Sequence, residues 1–256
     1  MHTIFADLSI FNPYNAPRFE FMSLAHAGAV AVLIVLLLAM FMYRQKLRSS
    51  ESARKTLRYI LLALLLLSQL MLEAWYQIYD LWDPAYTLPL ELCSITLLLS
   101  CVMLVTRNRV LYIIVFYAGI CGALAALITP DLVYTFPHFR FIQFFIAHGS
   151  IIAAALYMTW IEQVRLTITS VPLSMLLLNL IAGIVWCFNQ VFGANYMFLS
   201  HKPESPSILD MLGPYPYYIL VEEWVAFVLF TMMYIVFFYL PSRAAGKAVS
   251  KDHVSL

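Results

Sequence analysis

Cys93 and His148 are the two side chains in this apolar chain best suited to covalent chemistry. Cys93 stands in Leu88-Pro89-Leu90-Glu91-Leu92-Cys93-Ser94, where Thr87 suits a helix cap and Pro89 an early helical position. A thiol near a helix N-terminus loses its proton more readily than one sunk in apolar surroundings. With an imidazole to take that proton, the sulfur attacks an ester carbonyl and a thioester forms. Glu73, Glu91 and Glu222 are candidates to orient the imidazole. Counted inward along the apolar stretches at about 1.5 Å per residue, His26, Glu73, Cys93, His148 and Glu222 all fall roughly 8–12 Å deep. Glu91 and Glu223 come at similar or shallower levels, and Asn189 and Gln190 cap the sixth stretch.

Ionisable groups at membrane depth are costly and mark functional sites by default. The plainer reading treats them as glue between helices, worth about 0.6 kcal/mol each. Cys101, Cys121 and Cys187 fit that reading as packing residues. Agreement in depth among so many groups favours a pocket instead. Helical spacing adds to it: Gln69, Glu73 and Gln77 form one stripe, Cys93, Thr96 and Ser100 another, and Tyr218 lies one turn from Glu222. The opposite halves of the stretches are hydrocarbon, with Asn179 the main polar intruder. A channel or alternating-access carrier needs polar lining along its whole path. This chain offers a polar bowl sealed below. Trp75, Trp82 and Trp224 read as an interfacial belt.

The elements that carry these groups follow from composition. Of 256 residues, 63% are hydrophobic and 11% charged, against roughly a quarter charged in soluble domains, so lipid is the solvent. Apolar stretches near the roughly 20 residues of a spanning helix fall at 21–43, 57–80, 88–106, 110–128, 140–161, 171–191 and 216–240. The expected fold is an all-α, seven-transmembrane-helix bundle forming one domain over 1–256, without internal repeats. Twelve Lys and Arg lie on one side (Arg44, Lys46, Arg48, Arg54, Lys55, Arg58, Arg107, Arg109, Arg165, Arg243, Lys247 and Lys251) and three, Arg18, Arg140 and Lys202, on the other. The positive-inside rule then puts the N-terminus outside and the C-terminus in the cytoplasm, in a multi-pass protein of the cell membrane. The first twenty residues lack a positive start and an apolar core, so no cleaved leader is expected. No basic run suits nucleic acid. No cysteine spacing suits disulfides or zinc, and no cofactor is expected. His26, His148 and the glutamates supply enough donors for a metal-dependent hydrolase, but they lack a paired-histidine motif, so no metal is assigned.

The loop after the sixth stretch is the most distinctive segment. Gly193-Ala194-Asn195-Tyr196-Met197-Phe198-Leu199, then Lys202-Pro203, Ser205-Pro206-Ser207 and Gly213-Pro214-Tyr215-Pro216-Tyr217, resembles the signature loop of the YwaF-type bacterial membrane family. The Leu88-Pro89-Leu90-x-Leu92-Cys93 stretch, His26 and His148 match the same pattern. That family is related to the eukaryotic transmembrane protein 164 acyltransferases, which remodel phospholipids. The resemblance implies a seven-helix fold and an acyltransferase, transacylase or lipid-ester hydrolase. Cys93 is then the nucleophile and His148 the base, with His26, Glu73, Glu91, Asn189, Asn195, Tyr196 and Glu222 around the substrate. The expected partner is a membrane phospholipid or lysophospholipid. The alternative is a non-catalytic lipid or small-molecule binding or receptor protein using the same bowl. A reporter fused after Val249 is expected in the cytoplasm and one inserted at Ser205 outside; protease access to the C-terminus in intact cells would contradict this orientation.

Overall fold

The apolar runs form helices whose ends are set by short polar caps. The structure, a computed structural model, describes residues 10–14, 17–202 and 208–243. Pro203, Ser205, Pro206, Ser207, Lys247, Val249 and Lys251 lie outside the described residues. The main helices are α1 (Leu24–Met42), α2 (Glu51–Ile78), α3 (Leu92–Thr106), α4 (Arg109–Ile128), α5 (Phe139–Trp160), α6 (Ser170–Phe192) and α7 (Tyr217–Arg243). Six of them are long and apolar enough to cross a membrane. The expectation of seven full spans therefore meets six, together with α3, which has 15 residues. No strand occurs among the described residues, only an isolated antiparallel bridge between Arg18 and Tyr134.

The caps explain most of the boundaries. Ser23 accepts from the His26 N–H, Ser50 from Ala53 and Asn108 from Val110 and Leu111, each satisfying donors that a helix start leaves open. His138 caps α5 by accepting from the Arg140 N–H through Nδ1. Burial lowers the pKa of His138, with the Asn12 backbone working against that shift, which keeps Nδ1 available as an acceptor. α2 starts at Glu51 rather than 57 because a charged first turn, with a Glu51–Lys55 pair at 2.7 Å, carries the helix beyond its apolar stretch. The larger departure is α3. Residues 88–90 are not helical, Glu91 is the N-cap, and Thr87 closes a turn on Asp83 instead of capping the helix.

α5 is the axis of the bundle, buried over most of its length, with α1, α2, α3 and α4 packed around it. Gly119 lets α3, α4 and α5 approach closely: a Cβ there would lie 3.2 Å from Ile151 Cγ2 and 3.4 Å from Thr96 Cβ. Gly119 ends a π-helical turn, Val115–Gly119, whose Phe116 packs on Phe237 and Phe238 of a second such turn, Ile235–Tyr239, in α7. At one end of the bundle basic side chains bond to backbone carbonyls, as in Arg48 Nε to Trp160 O and Arg109 to Arg165 O. At the opposite, capped end, the arm before α1 bonds to the α4–α5 connection through Phe19 N to Val133 O and Thr135 N to Pro17 O. Trp75 Nε1 donates to Phe11 O there.

Candidate functional site

The short α3 sets the geometry. A Cβ on Gly122 would stand 3.6 Å from Cys93 Sγ, one turn above the layer where Gly119 meets Thr96 and Ile151. His148 lies one turn before Ile151 on α5. Cys93, Gly122 and His148 therefore occupy one level of the bundle, about 9 Å below the capped end of α4 and about 14 Å below that of α5. Cys93 is the second residue of α3, so the thiol stands beside the open N–H groups of a helix start. At about 22 Å, α3 is shorter than the roughly 30 Å of a bilayer core. The turn it lacks is replaced by residues 88–91.

His148 Nδ1 lies 2.8 Å from the Phe144 carbonyl. That oxygen only accepts, so Nδ1 carries the proton and Nε2 keeps its lone pair. Among the described residues Nε2 has no hydrogen-bond partner, and it is not a sealed atom. Cys93 and His148 are both half-buried, and neither bonds to the other. Among the described residues no acidic side chain holds the ring: the orienting role expected for Glu73, Glu91 or Glu222 falls to a backbone carbonyl.

The other expected site residues divide into two groups. Glu222 is half-buried and makes no hydrogen bond or ion pair among the described residues. It lies two turns from Phe230, which packs on Tyr117, and so within about one turn of the Cys93–His148 level. Glu91 accepts from Met197 N at 3.0 Å, which ties the start of α3 to the Tyr196–Phe198 turn. Tyr218 donates to Phe198 O from the first turn of α7. This strap lies over the start of α3. Met197 and Phe198 have φ of 57° and 51° without being glycine, a conformation that costs about 1–3 kcal/mol per residue and persists only where the surroundings enforce it.

The remaining residues have their polar atoms committed elsewhere. Asn189 brackets Tyr196, accepting from its N–H at 3.0 Å and donating to its carbonyl at 2.9 Å. The Tyr196 hydroxyl donates to Pro84 O and accepts from Leu88 N, both at 2.9 Å. Asn195 closes its own loop onto Ser200 and His201. His26 is buried with both nitrogens used, Nδ1 by Met22 N and Nε2 by Leu127 O. It is a structural pin, at the head of an apolar crevice of about 570 Å³ between α1, α4 and α5. Glu73 bonds to Gln69 on its own helix at 2.8 Å. Gln143 donates to Ser68 O, and from that register Glu73 lies roughly two to three turns nearer the capped end than His148, so depths matched in sequence are not matched in space. Among the described residues no three His, Cys, Asp or Glu cluster for a metal ion. Gly119 and Gly122, spaced one turn apart in an apolar helix, are the signal of close approach that a search for polar groups passes over.

A model of the TMEM164 family matches residues 21–234. No curated protein and no solved structure matches the chain. Asn189→Ala removes both bonds to Tyr196 and is expected to cost roughly 2–6 kcal/mol, two buried peptide groups being left open at about 1–3 kcal/mol each. A lowered Tm in detergent checks this; an unchanged Tm would show that the clamp does not hold the strap.

Proposed function

The chain belongs to the TMEM164 family, and we propose that this multi-pass membrane protein transfers an acyl chain between phospholipids through a thioester on Cys93. The observation that carries the reading is the shared level of Cys93, at the start of a short helix, and His148, whose Nε2 makes no hydrogen bond among the described residues. Helix starts that open inside a membrane bundle are a recurring device for binding there. Residues 88–91 complete the crossing that α3 makes only in part, giving seven crossings. The basic end faces the cytoplasm, and the capped end opens on the outer leaflet of the cell membrane.

The chemistry follows from these positions. His148 Nε2 takes the Cys93 proton as Sγ attacks the ester carbonyl carbon of a phospholipid, and the carbonyl π pair moves to oxygen. The open N–H groups at the start of α3 face the charge that develops there. Collapse breaks the bond to the glycerol oxygen, which leaves with the proton from His148 as a lysophospholipid. A second lysophospholipid hydroxyl then gives its proton to His148, attacks the thioester and releases Cys93. The strap excludes water from the thioester and so favours transfer over hydrolysis. Glu222 supplies a free carboxylate near the same level to receive a hydroxyl or ammonium group of the substrate.

Purified protein in nanodiscs with labelled phospholipid and lysophospholipid tests this. Cys93→Ser is expected to abolish acyl exchange, and His148→Ala to slow it by roughly 10²–10⁴-fold, the usual loss of a general base. His148→Ala also slows alkylation of Cys93, while Cys101→Ser leaves exchange unchanged. Exchange at the wild-type rate in Cys93→Ser would replace this reading with that of a non-catalytic lipid-binding protein.

A further inference from the structure

Arg140 is a half-buried cation at the capped end, where Arg18 is exposed. It stands on the first turn of α5, its guanidinium 5.9 Å from the Trp75 ring and 5.8 Å from that of Tyr76. Such contacts orient a cation without neutralising it. Among the described residues its one side-chain bond is NH1 to Gln143 Oε1, at 2.5 Å. No carboxylate pairs with it among the described residues, whereas Lys202 has Asp210 within 3.9 Å. Among the described residues its other N–H groups make no bond, and they are not sealed. A guanidinium presents five donors in a planar fork, so most of its capacity, aimed at planar or tetrahedral oxyanions, is unused.

Its position relates it to the thioester site. Arg140, Phe144 and His148 fall at four-residue spacing on one face of α5, with Arg140 about 12 Å nearer the capped end than His148. From the capped end inward along α5 the order is thus a cation, an aromatic ring, Phe144, and the Cys93–His148 level. A phospholipid has the same order: phosphate, glycerol ester, hydrocarbon.

We propose that Arg140 binds the phosphate of the phospholipid substrate and so sets its ester carbonyl at the level of Cys93. This rests on the acyl-transfer reading for the identity of the reacting ester, but not for the binding itself. A long, bidentate-capable Arg over two rings suits a phosphate diester, and Trp75 and Tyr76 hold the fork rigid while it waits.

The test uses the full chain in a phosphate-free, non-ionic detergent and reads thermal stabilisation by dioleoylphosphatidylethanolamine, by dioleoylglycerol and by inorganic phosphate. Wild-type protein and Cys93→Ser are expected to be stabilised by the phospholipid at least tenfold more tightly than Arg140→Gln. Dioleoylglycerol acts equally on all three. Arg140→Lys, which keeps the charge but not the fork, retains part of the preference and guards against a folding defect in the glutamine variant. In nanodiscs, Arg140→Gln raises KM for phospholipid donors while leaving their kcat within a few fold. Equal phospholipid affinity in wild type and Arg140→Gln would overturn the proposal. So would inorganic phosphate matching the phospholipid, which would make Arg140 a site for free anions. If Cys93→Ser still binds phospholipid through Arg140 but exchange proves independent of Cys93, the thioester reading fails and the phosphate site stands.

Discussion

A backbone N–H or C=O left unpaired in hydrocarbon costs several kcal/mol, so a membrane helix does not stop short unless something else takes up its peptide groups. α3 begins at Leu92, below the capped ends of its neighbours, and much of that end of the molecule is arranged to make this possible. The Tyr196 hydroxyl receives the Leu88 N–H and gives its own proton to Pro84 O. Asn189 holds Tyr196 by its N–H and its carbonyl. Glu91, at the cap, receives Met197 N. What the break yields is a thiol at the second residue of a helix, inside the bundle and beside a glycine that leaves it room.

The strap has a cost, and where that cost falls is informative. Two consecutive non-glycine residues, Met197 and Phe198, take left-handed conformations. They are held there by Glu91 on one side and Tyr218 on the other, and so join the starts of α3 and α7. Strain tolerated at a junction of this kind is typical of sites whose geometry matters more than their local stability. The same economy shows at His148, where a carbonyl of the helix itself, Phe144 O, fixes the tautomer. No second acidic residue need be buried to orient the base.

Much of the fold was legible because hydrocarbon runs are a strong signal. α4, α5, α6 and α7 begin within a residue of where the apolar stretches start. α2 begins earlier because its first turn is charged and hydropathy does not register it. α3 begins later because Leu88-Pro89-Leu90 is as apolar as the helix it precedes, and only a partner more than a hundred residues away reveals that it is extended. The candidate site was legible as residue types and not as roles: Cys93 and His148 are proposed from type and level. His26, Asn189, Asn195 and Tyr196 look equally polar in sequence, but their atoms are committed to Leu127, to Tyr196, to the loop after Asn195 and to Pro84. Arg140 entered the sequence reading only as an outer charge, since a missing partner is visible only in three dimensions.

The account turns on a covalent bond at one sulfur. Wild-type protein in nanodiscs containing a phospholipid of defined chain, quenched in acid and digested, would show by mass spectrometry whether the peptide holding Cys93 gains the mass of that acyl group. The predicted result is an adduct on Cys93 that hydroxylamine removes and that lysophospholipid discharges into new phospholipid. Turnover with no adduct on Cys93, or with the acyl group on another residue, would contradict it.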